Sequence, residues 1–157
     1  MLPLRPSLAG LLLLWFATYG CAKGDPLTPE ALKTAQALWQ QHNLTSYSVS
    51  FKIDGNRIES GKFDIVVDKG DIVKAARNGE NLATTDTFYT VKGLFEFLAH
   101  ELELASEPAR YFGAPADARV YLRAHFDPKL GYPTRYLRSV VGTKHQVTVE
   151  IVSFTPN

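Results

Sequence analysis

Over residues 28–53 the spacing of apolar side chains changes from a helical to a strand period within a few residues, so neither an all-helical nor an all-strand fold accommodates the chain. Thr28 is a natural N-cap, Pro29 suits the first helical position, and Leu27 and Leu32 have the spacing of a hydrophobic staple. A helix should run from there to about His42, burying Leu32, Ala35, Leu38 and Trp39. Then Tyr47, Val49, Phe51 and Ile53 alternate with Ser46, Ser48, Ser50 and Lys52, the pattern of a strand with one wet face.

The rest of the chain repeats this handover. Asp54-Gly55 signals a hairpin, and the returning strand, with Phe63, Ile65 and Val67 inward, ends at the turn Asp68-Lys69-Gly70-Asp71. A third strand, Ile72 to Arg77, closes at Asn78-Gly79, and the polar residues 80–89 read as loop. Thr90 caps a second helix, whose apolar positions Val91, Leu94, Phe95, Leu98, Leu102 and Ala105 keep the helical period until Pro108 stops it. Strands are expected at Arg119 to Phe126, about Thr134 to Val141, and Gln146 to Phe154. The order α-β-β-β-α-β-β-β predicts a two-layer α+β domain: an antiparallel sheet of about six strands with two helices on one face.

Before this domain the chain carries a leader. Arg5 is the only charge in the first 20 residues and precedes the apolar run Leu8 to Ala17, closed by Thr18-Tyr19-Gly20-Cys21. Some ten apolar residues fall short of the roughly 20 that a helix needs to cross a hydrocarbon core, so residues 1–20 read as a secretory signal peptide. A small residue followed by the chain's only Cys resembles the lipobox of bacterial lipoproteins, in which that Cys is lipidated and becomes the first mature residue. The partition expected is a signal peptide over 1–20, a lipidated Cys21 with a short tether over 21–27, and a single domain over 28–157. Ala22, where enteric sorting rules treat Asp as an inner-membrane retention mark, points by resemblance to the outer membrane. The alternative is cleavage after Ala22, whose small-x-small pattern Gly20-Cys21-Ala22 also fits signal peptidase, releasing a soluble periplasmic or secreted protein. Lipidation is the preferred reading because it accounts for an odd free thiol in an exported chain.

Composition narrows the chemistry. One Cys excludes an internal disulfide, a Cys-rich zinc site and a four-thiolate iron–sulfur cluster, and no cofactor is expected. Without the leader, sixteen basic residues face sixteen acidic ones, a balance that argues against nucleic acid as a partner. The neutrality is uneven: residues 54–107 hold six Lys/Arg against eleven Asp/Glu, whereas residues 108–145 hold seven against two.

The stretch Ala35 to Phe51 with its W…Y helix-to-strand entry, the turn V-V-D-K-G-D-I-V, the helix start T-V-K-G-L-F, and the D-P-x-x-G-Y-P-T segment from Asp127 to Thr134 together resemble a family of small bacterial lipoproteins carrying a domain of unknown function. That resemblance covers nearly the whole mature chain. It implies export, a lipid anchor and the α+β layout above, and it implies no activity.

Motifs for nucleophilic catalysis, phosphate cradling or dinucleotide binding are not found; His100-Glu101 begins an H-E-x-x-H pattern, but residue 104 is Leu. Glu96, His100 and Glu103 share one helical face at metal-like spacing, although a solvated polar face explains them better. Asn43-Leu44-Thr45 matches a glycosylation acceptor, and in a bacterial chain it reads as a polar turn. In the hairpin Asp127, Pro128, Gly131, Tyr132 and Pro133, every residue type has a turn-forming reason, so its role is expected to be structural. The remaining candidate is Arg119, Tyr121, Arg123 and His125, which fall two residues apart on the wet face if Val120, Leu122, Ala124 and Phe126 face the helices. Such a row can hold an anionic group through forked hydrogen bonds and ring stacking. The preferred expectation for these four residues taken alone is that they pair across strands with Asp64, Asp68 or Glu150 on the same wet face.

The function expected is therefore a non-enzymatic binding or accessory module, held to the membrane through its N-terminal lipid and recognising an envelope protein or an anionic envelope component. An inhibitor of a secreted enzyme, probing with the Asp127–Pro133 hairpin, is the alternative. An undetected hydrolase ranks last.

Overall fold

The computed structural model describes residues 24–56 and 59–157; the segment expected to be a signal peptide, residues 1–20, and Cys21 lie outside them. Helix α1 (Pro29–Gln41) starts as its sequence dictates, with the Thr28 hydroxyl accepting from the Ala31 N–H at 3.1 Å. Leu32, Ala35 and Trp39 are buried, whereas His42 forms the C-cap. Helix α2 (Val91–Leu104) is capped in the same way by Thr90, which accepts from the Gly93 N–H at 3.1 Å. Gly93 has a packing reason: a Cβ there would stand 1.9 Å from the carbonyl oxygen of Thr87, in a 3-10 turn over Thr87–Tyr89.

The eight described strands are β1 (Asp25–Pro26), β2 (Tyr47–Gly55), β3 (Gly61–Asp68), β4 (Asp71–Arg77), β5 (Glu80–Asn81), β6 (Val120–Phe126), β7 (Pro133–Val140) and β8 (Gln146–Pro156). They form one sheet in the order β1-β6-β7-β8-β2-β3-β4-β5, with antiparallel pairing throughout. Two meanders, β2-β3-β4 and β6-β7-β8, are joined where β8 pairs with β2. The α+β class and the antiparallel sheet match the pattern read from the sequence.

Four details differ. Residues 80–89 do not form a plain loop: Glu80–Asn81 returns beside β4 after a two-residue turn in which Asn78 and Gly79 both have positive φ (52° and 86°). Asp25–Pro26 pairs with β6, so the expected tether is part of the sheet and Leu27 belongs to the core. Pro108 ends α2 but also opens a third helix, α3 (Pro108–Phe112), because proline is tolerated at a first helical position. The first hairpin turns after Gly55, which stays in β2 opposite Val147, and not on Asp54-Gly55 itself.

The inward strand residues Tyr47, Val49, Phe51, Ile53, Phe63, Ile65, Val67, Tyr136, Val147 and Val149 form one buried cluster with Leu32, Ala35, Trp39, Val91, Leu94, Phe95 and Leu98 from the helices. Both long helices thus cover one face of the sheet. The other face is left to solvent, and it carries the candidate row.

Candidate binding face on the open sheet

Strand β6 presents its residues as the alternation requires: Leu122 and Ala124 are buried, and Tyr121 is 45% exposed on the opposite face. Arg119 lies just before the strand, exposed, with its carbonyl accepting from the Val141 N–H at 2.9 Å. Arg123 is half-buried and donates from Nη1 to the carbonyl of Gly24 at 2.9 Å, so it is partly committed to holding the N-terminal segment. His125 is half-buried, opposite Arg135. All four fall on one face, as their spacing requires.

The acidic partners expected for this row are engaged elsewhere. Tyr121 is in register with Ser139, Arg123 with Leu137, and His125 with Arg135. Glu150 lies between Arg135 and Lys52. Asp68 accepts from the Ser46 hydroxyl at 2.7 Å, and Asp64 accepts from the Ser50 hydroxyl and lies 3.2 Å from Lys62 Nζ. The Ser50 hydrogen bond, with Lys62 beside it, holds the Asp64 carboxyl below the usual carboxylate range despite partial desolvation. The open face is therefore divided. Toward β3 and β4 it forms a shallow cavity of about 390 Å³ lined by Ser48, Ser50, Asp64, Lys74, Ser153 and Thr155, whereas toward β6 it is basic and aromatic. Two exposed valines, Val73 and Val152, fall where the β3–β4 and β2–β8 registers shift, which takes them out of the inward alternation.

The hairpin after β6 is tied down at every turn residue that matters. Asp127 Oδ1 accepts from the N–H groups of Lys129 and Leu130 at 2.9 and 2.7 Å, and its backbone closes on Tyr132 O and Gly131 N at 2.8 Å. Gly131 has φ +81° and sits against α1, where a Cβ would come 2.4 Å from the carbonyl oxygen of Ala35. His42 Nε2 meets the Lys129 carbonyl at 2.8 Å, while the Tyr132 ring stacks on Phe154 at 4.4 Å and stands edge-on to Trp39 at 6.4 Å. Pro133 is buried at the start of β7, and only Pro128 and Lys129 remain exposed at the tip.

On the helix side, Glu96, His100 and Glu103 are all exposed; Glu96 lies 3.8 Å from Lys92 Nζ, and His100 Nδ1 is 3.4 Å from Glu103 Oε2. No group of three or more potential metal ligands comes together among the described residues. The neighbouring Glu101 points the other way, into the core. Both of its carboxylate oxygens accept from Arg138 Nη1, at 2.6 and 2.7 Å, and Oε2 also accepts from the Tyr136 hydroxyl at 2.6 Å. The Phe112 ring of α3 covers the guanidinium at 4.8 Å, whose Nε has no partner. Burial, together with the adjacent carboxylate, drives the Tyr136 hydroxyl far above its ordinary pKa. Sequence reasoning missed this pair. Its signal is two opposite charges on apolar parities: Glu101 on the Leu94–Leu98 stripe, and Arg138 between Tyr136 and Val140.

A second cavity, of about 490 Å³, opens between α1 and α2 over Trp39, Tyr47, Val67 and Phe95, with Gln40 and Lys92 at its rim. Its floor is fixed by the Tyr47 hydroxyl, which accepts from the Val91 N–H at 3.0 Å.

Among known protein families, a family of unknown function matches residues 31–137, from the third residue of α1 into β7. No curated protein matches the chain.

Proposed function

We propose, from the premise that the chain belongs to DUF6174, a family of unknown function, that it is an exported, lipid-anchored envelope protein working as a non-enzymatic binding or accessory module. Its open sheet face would recognise an anionic partner. The observation that carries this reading is the basic strand edge: Arg119, Tyr121, Arg123 and His125 share one face, and none is in register with a carboxylate. A guanidinium beside an exposed phenol ring is a receptive surface for carboxylate or phosphate oxygens, because donors and ring can act together on one planar group.

Cys21→Ser tests the anchor: fatty-acid labelling should vanish and the chain should move to the soluble envelope fraction. Unchanged membrane association would rule the anchor out. Capture from envelope extract with the wild type and with Arg119→Glu tests the face. Recovery of one or more partners that the variant fails to retain is the supporting result, and full retention by the variant overturns it. Recovery of a single stoichiometric enzyme through the Pro128-Lys129 tip would instead favour inhibition.

A further inference from the structure

We propose that the β6 edge is the surface that lies against the anionic phospholipid headgroups of the membrane to which the chain is anchored. This deepens the reading above and rests on its lipid anchor. Three observations converge on that edge.

The first is where the chain leaves the fold. Gly24 is buried, with its carbonyl held by Arg123 and the Ala124 carbonyl oxygen 3.3 Å from where a Cβ would stand, while Asp25 and Pro26 pair with Ala124 and Arg123. Cys21 is three residues earlier, and three residues span at most about 11 Å. A lipid on Cys21 therefore brings β6, rather than β4 or the helices, to the bilayer.

The second is the chemistry of the corner at the start of β6. Arg119 is bonded through its backbone to Val141, Val141 is 50% exposed, and Tyr121, on the same face, is 45% exposed. Two of the four large apolar or aromatic side chains exposed among the described residues thus flank one arginine. An aromatic ring, an aliphatic side chain and a guanidinium side by side suit the headgroup layer, where ring and methyls sit at the acyl boundary and the cation meets phosphate.

The third is charge. Residues 108–145 carry seven basic residues against two acidic ones, and the carboxylate on the pairing segment, Asp25, is in register with Ala124 on the helix side of the sheet. The serine-lined cavity and the strands β3 to β5 lie at the far side of the sheet, where residues 54–81 are nearly balanced at five Lys/Arg against six Asp/Glu; the acidic excess sits on residues 82–107, chiefly α2. An anionic surface would attract the edge that carries Arg119 more than the balanced far edge, which orients a domain on a short tether.

The test uses the full chain carrying Cys21→Ser, so that docking is read without the anchor, in co-sedimentation with vesicles of phosphatidylcholine alone or with added phosphatidylglycerol. Any contribution of the leader, whose one charge is Arg5, is common to every chain compared. Binding should require phosphatidylglycerol and fall steeply with salt. Arg119→Gln with Tyr121→Ala should weaken it at least about fivefold, the loss expected for one arginine at an anionic surface. Arg119→Lys should retain it, and so should Lys74→Gln on the far side. Equal sedimentation with both vesicle types, or undiminished binding by the double variant, overturns the proposal. So does loss with Arg119→Lys equal to that with Arg119→Gln, which would point to a forked contact with an acidic protein. Fatty-acid labelling of the wild type is read separately: a labelled chain that ignores phosphatidylglycerol keeps the anchor and loses the docking, and an unlabelled chain that binds does the reverse.

Discussion

Glu101 and Arg138 meet inside the domain, each only 3% exposed, with both carboxylate oxygens on a single guanidinium nitrogen at 2.6 and 2.7 Å. The contact links the end of α2 to β7, and Phe112 of α3 closes over it. The desolvation of two charges offsets most of their attraction, so the pair adds little net stability, whereas losing one partner strands the other.

Glu101→Ala should therefore destabilise the domain by about 3–5 kcal/mol, while Glu101→Leu combined with Arg138→Met should recover most of that loss. Chemical denaturation of the two singles and the double closes the cycle. A double variant as unstable as the singles would show that the ion pair stabilises the fold in its own right.

Alkaline pH should unfold the protein through its tyrosines. Burial holds Tyr136 and Tyr47 protonated in the fold above the pH where an unfolded tyrosine ionises. The folded pKa is raised, so the unfolded chain binds fewer protons above pH about 10 and stability falls there. The slope approaches about 1.4 kcal/mol per pH unit for a tyrosine that stays fully protonated in the fold, as Tyr136 does. Tyr136→Phe should make the decline shallower between pH 10 and 12, as read from denaturation midpoints.

Gly131→Ala should cost about 2–5 kcal/mol, combining the left-handed strain of φ +81° with the overlap of a new methyl on the α1 backbone. Gly70→Ala, at φ +91° with open space around it, should cost only the strain, about 1–2 kcal/mol. Equal losses at the two sites would mean that the hairpin does not press on α1.

Trp39→Ala should cost about 3–5 kcal/mol. The ring is buried and stands edge-on to Tyr47 at 5.6 Å, Phe154 at 5.7 Å and Tyr132 at 6.4 Å, so it joins α1 to β2, β8 and the hairpin. A melt within a degree or two of wild type would contradict that.

Reversing the two arginines of the row should have separable effects. Arg119→Glu should leave the melting temperature within a degree or two, because the side chain is exposed. Arg123→Glu should cost about 1.5–3 kcal/mol through its lost charged hydrogen bond to Gly24 and should hasten proteolysis at the N-terminal segment. Equal stability of the two variants would show that Gly24 is held without Arg123.

Much of this arrangement is legible locally. Thr28 and Thr90 cap their helices, and Tyr47, Val49, Phe51 and Ile53 take the inward parity, because caps and alternation depend on neighbours within four residues. The tetrad on β6 shares one face for the same reason. The short β1 and β5 were illegible, since two residues carry no period; Asp25–Pro26 becomes a strand only because β6 offers a free edge. Asp64, Asp68 and Glu150 were plausible partners for the arginines by parity alone, and register decided otherwise.

The sequence by itself determined the two long helices, the six longer strands and which of their side chains face inward, because those preferences are written in φ/ψ, capping and periodicity over a few residues. Only the tertiary structure decided that β8 lies between β7 and β2, placing the basic strand β6 at one side of the sheet and the β2-β3-β4 meander with its serine-lined cavity at the other. It also decided that Glu101 finds Arg138 across 37 positions. Alternation gives each strand a face but no neighbour, and the choice of neighbour is made by burying all inward faces and both long helices in one core.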